Sequence, residues 1–188
     1  MGKTALTREP ETRMSRQEYR AWLDQQPDGR FERIQGVVVA MAPERAEHAL
    51  CKARIWQALD RAVREAGLPC EVYPDGMTVE VGDSDYEPDA VLRCGAALGG
   101  KAIAVPDPLI IVEVLSPTTS GIDRAWKLRE YFRLPSLRHY LIVRPDMPHM
   151  VRHTMLPTGE VETRVFTTGE IALAPPGIGI TVEEVYTR

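Results

Sequence analysis

The run Pro-Leu-Ile-Ile-Val-Glu-Val-Leu-Ser-Pro, residues 108–117, constrains the fold more than any other stretch. Six apolar residues from Leu109 to Leu115 surround one carboxylate, Glu113. Such density reads as a strand buried on both faces, and strands of that kind lie in sheets covered by other elements. Side chains alternate along a strand, so Ile111, Glu113 and Leu115 share one face while Ile110, Val112 and Val114 share the other. An unpaired charge in that setting costs at least several kcal/mol. Glu113 therefore needs a cation on its own face. That cation is either an arginine in a salt bridge or a metal ion.

A second carboxylate lies in a similar setting. Tyr-Glu-Pro-Asp-Ala-Val-Leu, residues 86–92, sets Asp89 after a proline at the start of a strand expected from about Pro88. Neighbouring strands run about 4.8 Å apart, so two inward carboxylates on them can share one ion. Two carboxylates with a backbone carbonyl and waters suit Mg²⁺ or Mn²⁺. After the breaker Ser116–Gly121, residues 122–134 carry helical spacing, with Ile122, Ala125, Leu128 and Phe132 on an apolar face. Asp123, Lys127 and Tyr131 follow one another at i, i+4 and i+8 and line one side of that helix. Lys127 is one of only 4 lysines, against 19 arginines. Its ammonium, brought to the carboxylates, can hold an attacking water and developing negative charge. Standing alone, Asp123 and Lys127 make only an exposed pair worth about 0.3–0.5 kcal/mol.

The rest of the chain supplies a frame. Ser15 with Glu18 forms a capping box for a short helix to about Gln26. Residues 31–41 read as two strands meeting near Gln35-Gly36. Residues 46–66 carry a long helix closed by Gly67. Strands follow around Pro74-Asp75-Gly76, then at 139–145, and a meander of short strands runs from Pro148 onward. The chain of 188 residues is long enough for one domain with a real core. Residues 1–14 read as a flexible tail, and 15–188 as one α/β (α+β) domain with a mixed central sheet flanked by helices.

Composition narrows the partners. A net charge of −4 means that any nucleic-acid contact needs a local basic patch; Arg124, Arg129, Arg133 and Arg138 are candidates, though each taken singly reads as solvated. Cys51, Cys70 and Cys94 are odd in number and lack a CxxC, which argues for free thiols and a cytoplasmic location. The N-terminus has no apolar signal segment, and no apolar run approaches a membrane span. His139, His149 and His153 give only a weak hint of zinc. Trp56 and Trp126 read as core or interface, and Cys51 as no nucleophile.

The ordered set Pro88-Asp89, then Glu113-Val-Leu-Ser-Pro, then Asp123, Lys127 and Tyr131, then His-Tyr-Leu-Ile-Val-Arg-Pro at 139–145, resembles the Uma-two family of restriction-endonuclease-like proteins, within the PD-(D/E)xK nuclease superfamily. Residues 31–41 with the following His48 resemble the opening segment of that family. The resemblance implies a restriction-endonuclease-like core and metal-dependent hydrolysis of nucleic-acid phosphodiester bonds, with DNA the expected substrate. It implies Asp89, Glu113 and the Val114 carbonyl as ligands of Mg²⁺ or Mn²⁺, Glu32 as a further acidic ligand or water anchor, and Lys127 as the motif lysine. His48, Asp123 and Tyr131 are accessory candidates. One departure stands out: the superfamily lysine lies two residues after the glutamate, where this chain has Leu115, so the lysine must come from the helix. A homodimer is expected, because cutting two strands calls for two sites. Two other classes stay open. One is a silent binding module in which Glu113 is merely bridged by Lys127. The other is a carboxylate-pair glycosidase, disfavoured by an aromatic content of 6%.

Overall fold

The computed structural model describes residues 13–116 and 121–187, with the side chains of 121–124 outside that description. The chain opens with helix α1 (Arg16–Leu23), capped by Ser15 and Glu18 as the sequence predicts. Strands β1 (Phe31–Ile34) and β2 (Val37–Ala40) form a hairpin. Its turn needs positive φ at both central residues, which Gln35 (φ 50°) and Gly36 (φ 84°) adopt. Helix α2 (Ala46–Glu65) follows, ending where Gly67 turns left-handed at φ 61°.

Strands β3 (Cys70–Pro74), β4 (Val79–Val81), β5 (Ser84–Tyr86), β6 (Ala90–Cys94) and β7 (Ile110–Val114) come next. Helix α3 (Gly121–Tyr131) then leads to β8 (His139–Val143), β9 (Met150–Met155) and β10 (Val161–Phe166). The chain closes with β11 (Glu170–Leu173), β12 (Ile178–Thr181) and helix α4 (Val182–Tyr186). No described helix is long and apolar enough to cross a membrane.

The central sheet has six strands in the order β10-β9-β8-β7-β6-β3. Only β7 and β8 run parallel, which requires the α3 crossover between them. Alternation on β7 sorts its residues as the sequence predicts. Ile110, Val112 and Val114 join an aliphatic cluster with Ile55 and Leu59 of α2, Leu141, and Ile171 and Ile180 of the last hairpin. Ile111 faces the other way, into a cluster with Val79, Tyr86, Val91, Tyr131 and Tyr140. Tyr131 makes edge contacts with Tyr86 and Tyr140, at 5.1 and 5.2 Å between ring centroids.

Four expectations change. The C-terminal strands are not one meander: β11 pairs with β12 in a separate sheet. Strand β5 is an unforeseen element that joins a four-stranded sheet in the order β2-β1-β5-β4. Cys70 and Cys94 form a disulfide rather than free thiols, because the β3–β6 register sets them opposite one another; Cys51 alone is free and buried. The expected tail of 1–14 lies outside the described residues up to 12, but Met14 is tied down by bonds to Gly36 and Arg33.

Candidate active site

Glu113 is set by strand alternation, and Asp89 by strand pairing. Strands β6 and β7 are antiparallel neighbours, with Ala90 opposite Val112. One residue beyond that pair, Asp89 lies across from the position of Glu113. Asp89 takes a backbone bond from its own N–H to the Val112 carbonyl, and its Oδ2 accepts the Val114 N–H at 2.6 Å. That side-chain bond fixes the orientation of the carboxylate at the strand end.

Glu32 arrives from the hairpin sheet. Its neighbour Arg33 points the other way and bonds Asp85 of β5 in a pair where both side chains are almost fully buried. Arg16 adds a second cation to Asp85 at 2.6 Å. This anchoring locks β1 to β5 and so presents Glu32 to the cleft. Lys127 links the two acidic groups. Its Nζ donates to Glu32 Oε1 and to Glu113 Oε1, both at 2.9 Å. The Tyr131 hydroxyl donates to the same Glu113 oxygen at 2.7 Å. Lys127 and Tyr131 thus meet Glu113 from adjacent turns of α3, as their spacing of four requires. Asp123 belongs to the side chains outside the described ones.

His48, in the first turn of α2, reaches the far side. Its Nε2 bonds the Val114 carbonyl and its Nδ1 bonds Glu44 Oε1, each at 2.7 Å. Val114 is therefore held at both of its backbone groups, its N–H by Asp89 and its carbonyl by His48. One residue of this constellation escaped the sequence reading. Lys52, one turn along α2 from His48, bonds Asp75 at 2.7 Å and Glu44, and lies 3.6 Å from Asp89 Oδ1. Scarcity of lysine and the i, i+4 spacing from His48 were the available signals.

Burial pushes the Glu32, Asp89 and Glu113 carboxyls above the ordinary carboxylate range. The charge of Lys127 pulls Glu32 and Glu113 back, and the Val114 N–H does so for Asp89. Burial also works against the charge of Lys127. The carboxylates of Glu113 and Glu32 outweigh it and hold the ammonium protonated, above the ordinary lysine value.

No three His, Cys, Asp or Glu side chains among the described residues converge closely enough to hold a metal alone. The donors that do gather, Asp89, Glu113 and the Val114 carbonyl, are hard oxygens. They fit a cation that keeps several waters, as Mg²⁺ does. The Val114 carbonyl already accepts from His48 and must use its second lone pair for any ion. The zinc hint gains no support: among the described residues no three His, Cys, Asp or Glu side chains converge, His139 bonds Thr154 and Pro175, and His153 bonds Thr163. Burial pushes the Cys51 thiol up to about 12, which disfavours the thiolate that a nucleophile needs.

These groups open into a cleft of about 970 Å³ between the β1–β2 hairpin, the start of α2, the end of β7 and α3. Trp126 lines it rather than the core; Trp56 packs on the core and donates to the Val72 carbonyl, as expected. Of the four arginines considered for phosphates, Arg124 lies outside the described side chains and the other three do not line the cleft.

The family profile of Uma2, described as "Putative restriction endonuclease", matches residues 16–183. The chain belongs to the Uma2 family. Two uncharacterized proteins of Synechocystis sp. are similar to this Uma2 chain. One is 28% identical over 145 residues, covering 71% of this chain and 70% of that protein. The other is 24% identical over 124 residues, covering 64% and 69%. A crystal structure described as a "putative nuclease belonging to DUF820", from Anabaena variabilis, superposes with a TM-score of 0.71 at 13% identity. It covers 88% of this chain and 95% of that one. The likeness shows that this Uma2 chain shares its fold with that protein.

Proposed function

We propose that this Uma2 chain is a divalent-metal-dependent nuclease that hydrolyses phosphodiester bonds. The observation that carries the reading is the meeting of Asp89 and Glu113 at Val114 with Lys127 bonded to Glu113. Asp89, Glu113 and the Val114 carbonyl are the proposed ligands of Mg²⁺ or Mn²⁺. Such an ion, when bound, neutralises charge on a phosphate oxygen and lowers the pKa of a bound water. Lys127 holds the attacking oxygen and the negative charge that develops on the phosphate. Glu32 fixes the ammonium in place and anchors a water. Tyr131 orients Glu113 by donating to it, and His48 steadies the strand end through the Val114 carbonyl. Oligomerisation as a homodimer is part of the proposal, checked by analytical ultracentrifugation.

The deciding assay incubates the protein with single- and double-stranded DNA and RNA in Mg²⁺, Mn²⁺ or EDTA, beside Glu113→Ala. Cleavage should require metal and fall by more than about 10²-fold in the variant, since even outer-shell changes cost 10–100-fold. Cleavage that survives EDTA or the substitution sinks the reading. One observation favours a silent binding module instead. Lys127 lodged between Glu32 and Glu113 is also what a purely structural ion triad looks like. A folded protein that neither cleaves nor binds Mn²⁺ by calorimetry supports that reading.

A further inference from the structure

We propose that the cleft takes nucleic acid as a single strand, with an unpaired base against Trp126 and one phosphate at the carboxylates. The proposal rests on the nuclease reading and names its substrate class. Two independent properties of the cleft lead to it.

The first is its apolar wall. Ile34, Val39, Met41, Pro43, Leu115 and Trp126 line the cleft together with the charged groups. Val39 is 42% exposed, a large aliphatic group left open to solvent on β2. Arg129, exposed on α3, sets its guanidinium 5.9 Å from the centre of the Trp126 ring. A duplex keeps its base faces stacked inside and shows phosphate and sugar outward. A single strand can turn its bases toward an aromatic and aliphatic surface, and such stacking tolerates any base.

The second is charge. Six carboxylates line the cleft (Glu32, Glu44, Glu47, Glu87, Asp89 and Glu113), against four cations (Arg30, Arg45, Lys52 and Lys127). Three of those cations are committed. Arg30 bonds Asp75 and Glu87, Lys52 bonds Asp75 and Glu44, and Lys127 bonds Glu32 and Glu113. Outside the cleft, Arg133 is taken up by Glu130. Duplex binders typically neutralise about 6–10 phosphates with a row of cations. This cleft has no such row among its described residues. A divalent ion offsets its acidic excess and leaves room for one phosphate, so the remaining affinity must come from bases on the apolar wall.

The test uses fluorescence anisotropy in Ca²⁺ with labelled dodecamers, checked intact on a gel. The ligands are a single strand, the matching blunt duplex, and a single strand carrying abasic sites. The single strand should bind at least about tenfold more tightly than the duplex. Abasic sites and Trp126→Ala should each weaken single-strand binding about tenfold. Trp126→Phe should restore most of it. Mn²⁺ calorimetry of the variants should match the wild type. Duplex binding equal to or stronger than single-strand binding overturns the inference while the nuclease reading stands. So does indifference to abasic sites, which needs no variant, or Mn²⁺ binding without any nucleic-acid binding. Absence of both Mn²⁺ and nucleic-acid binding removes the nuclease reading itself.

Discussion

The two faces of the central sheet solve the same electrostatic problem in opposite ways. On the face beneath α2 and the last hairpin, nearly every group is aliphatic. His139 shares that face with Leu141 and Val143 and is fully buried, and Arg152, opposite Leu141, carries its charge to Glu162 and the Ala172 carbonyl. Burial, helped by the nearby charge of Arg152, pushes the imidazole down to about 4, so it stays neutral and donates or accepts as Thr154 and Pro175 require. On the other face, burial likewise works against the ionised carboxylates, yet Lys127 arrives to keep charge in place. One face keeps its imidazole neutral and leads its arginine out to the sheet edge, where Glu162 meets it. The other gathers three carboxylates, Glu32, Asp89 and Glu113, against Lys127 and, 3.6 Å from Asp89, Lys52. The proposed site lies on this second face.

Lys127→Met should break the second solution most severely. It leaves Glu32 and Glu113 facing each other unpaired, and metal-free stability should fall by about 3–5 kcal/mol, read by urea denaturation. A loss under about 1 kcal/mol would mean that the carboxylates do not depend on the lysine. Leu141→Ala tests the dry face. A cavity there should cost about 2–5 kcal/mol and leave Mn²⁺ affinity unchanged; a changed affinity would show that the faces are coupled. His139 gives a pH-dependent effect. Its folded pKa is depressed from 6.5 to about 4. Its contribution is therefore fully present above pH 6.5 and lost as pH falls toward 4, by on the order of 3 kcal/mol. Melts of the wild type against His139→Gln should converge through that window. The smallest effect is expected from Glu113→Gln without metal, within about 1 kcal/mol of wild type or slightly stabilising, because it relieves repulsion among clustered carboxylates. A large destabilisation would instead support the structural triad.

What the sequence disclosed follows from the range of the interaction. Glu113 in its apolar run, the Ser15–Glu18 box and the Gln35-Gly36 turn are local signals, and each matches the structure. That Lys127 and Tyr131 share one helix side was legible because spacing of four needs no tertiary knowledge; that this side meets Glu113 was expected from the family resemblance, and the structure shows the contact. Two features were not legible, and a third, Lys52, only faintly. Strand β5 is three residues of Ser-Asp-Tyr, held by Arg33 some fifty positions earlier. The Cys70–Cys94 bond depends on a ladder register 24 residues apart. Lys52 acts through Asp75 and Glu44, which only the folded chain assembles. By contrast, Thr181 with Glu184 repeats the capping box of α1 and marks α4 plainly; that signal was present in the sequence and passed over.

The alternation along β7 has a consequence for how the chain finds its fold. A strand made only of Ile, Val and Leu could slide by one position against β6 or β8 with little loss of burial. With Glu113 in its middle, the same slide turns the carboxylate toward Ile55 and Leu59, away from Lys127 and Tyr131, and strands a charge in hydrocarbon. The residue proposed for catalysis therefore also works as a proofreader of strand alignment, rejecting the misthreaded sheet before any substrate arrives.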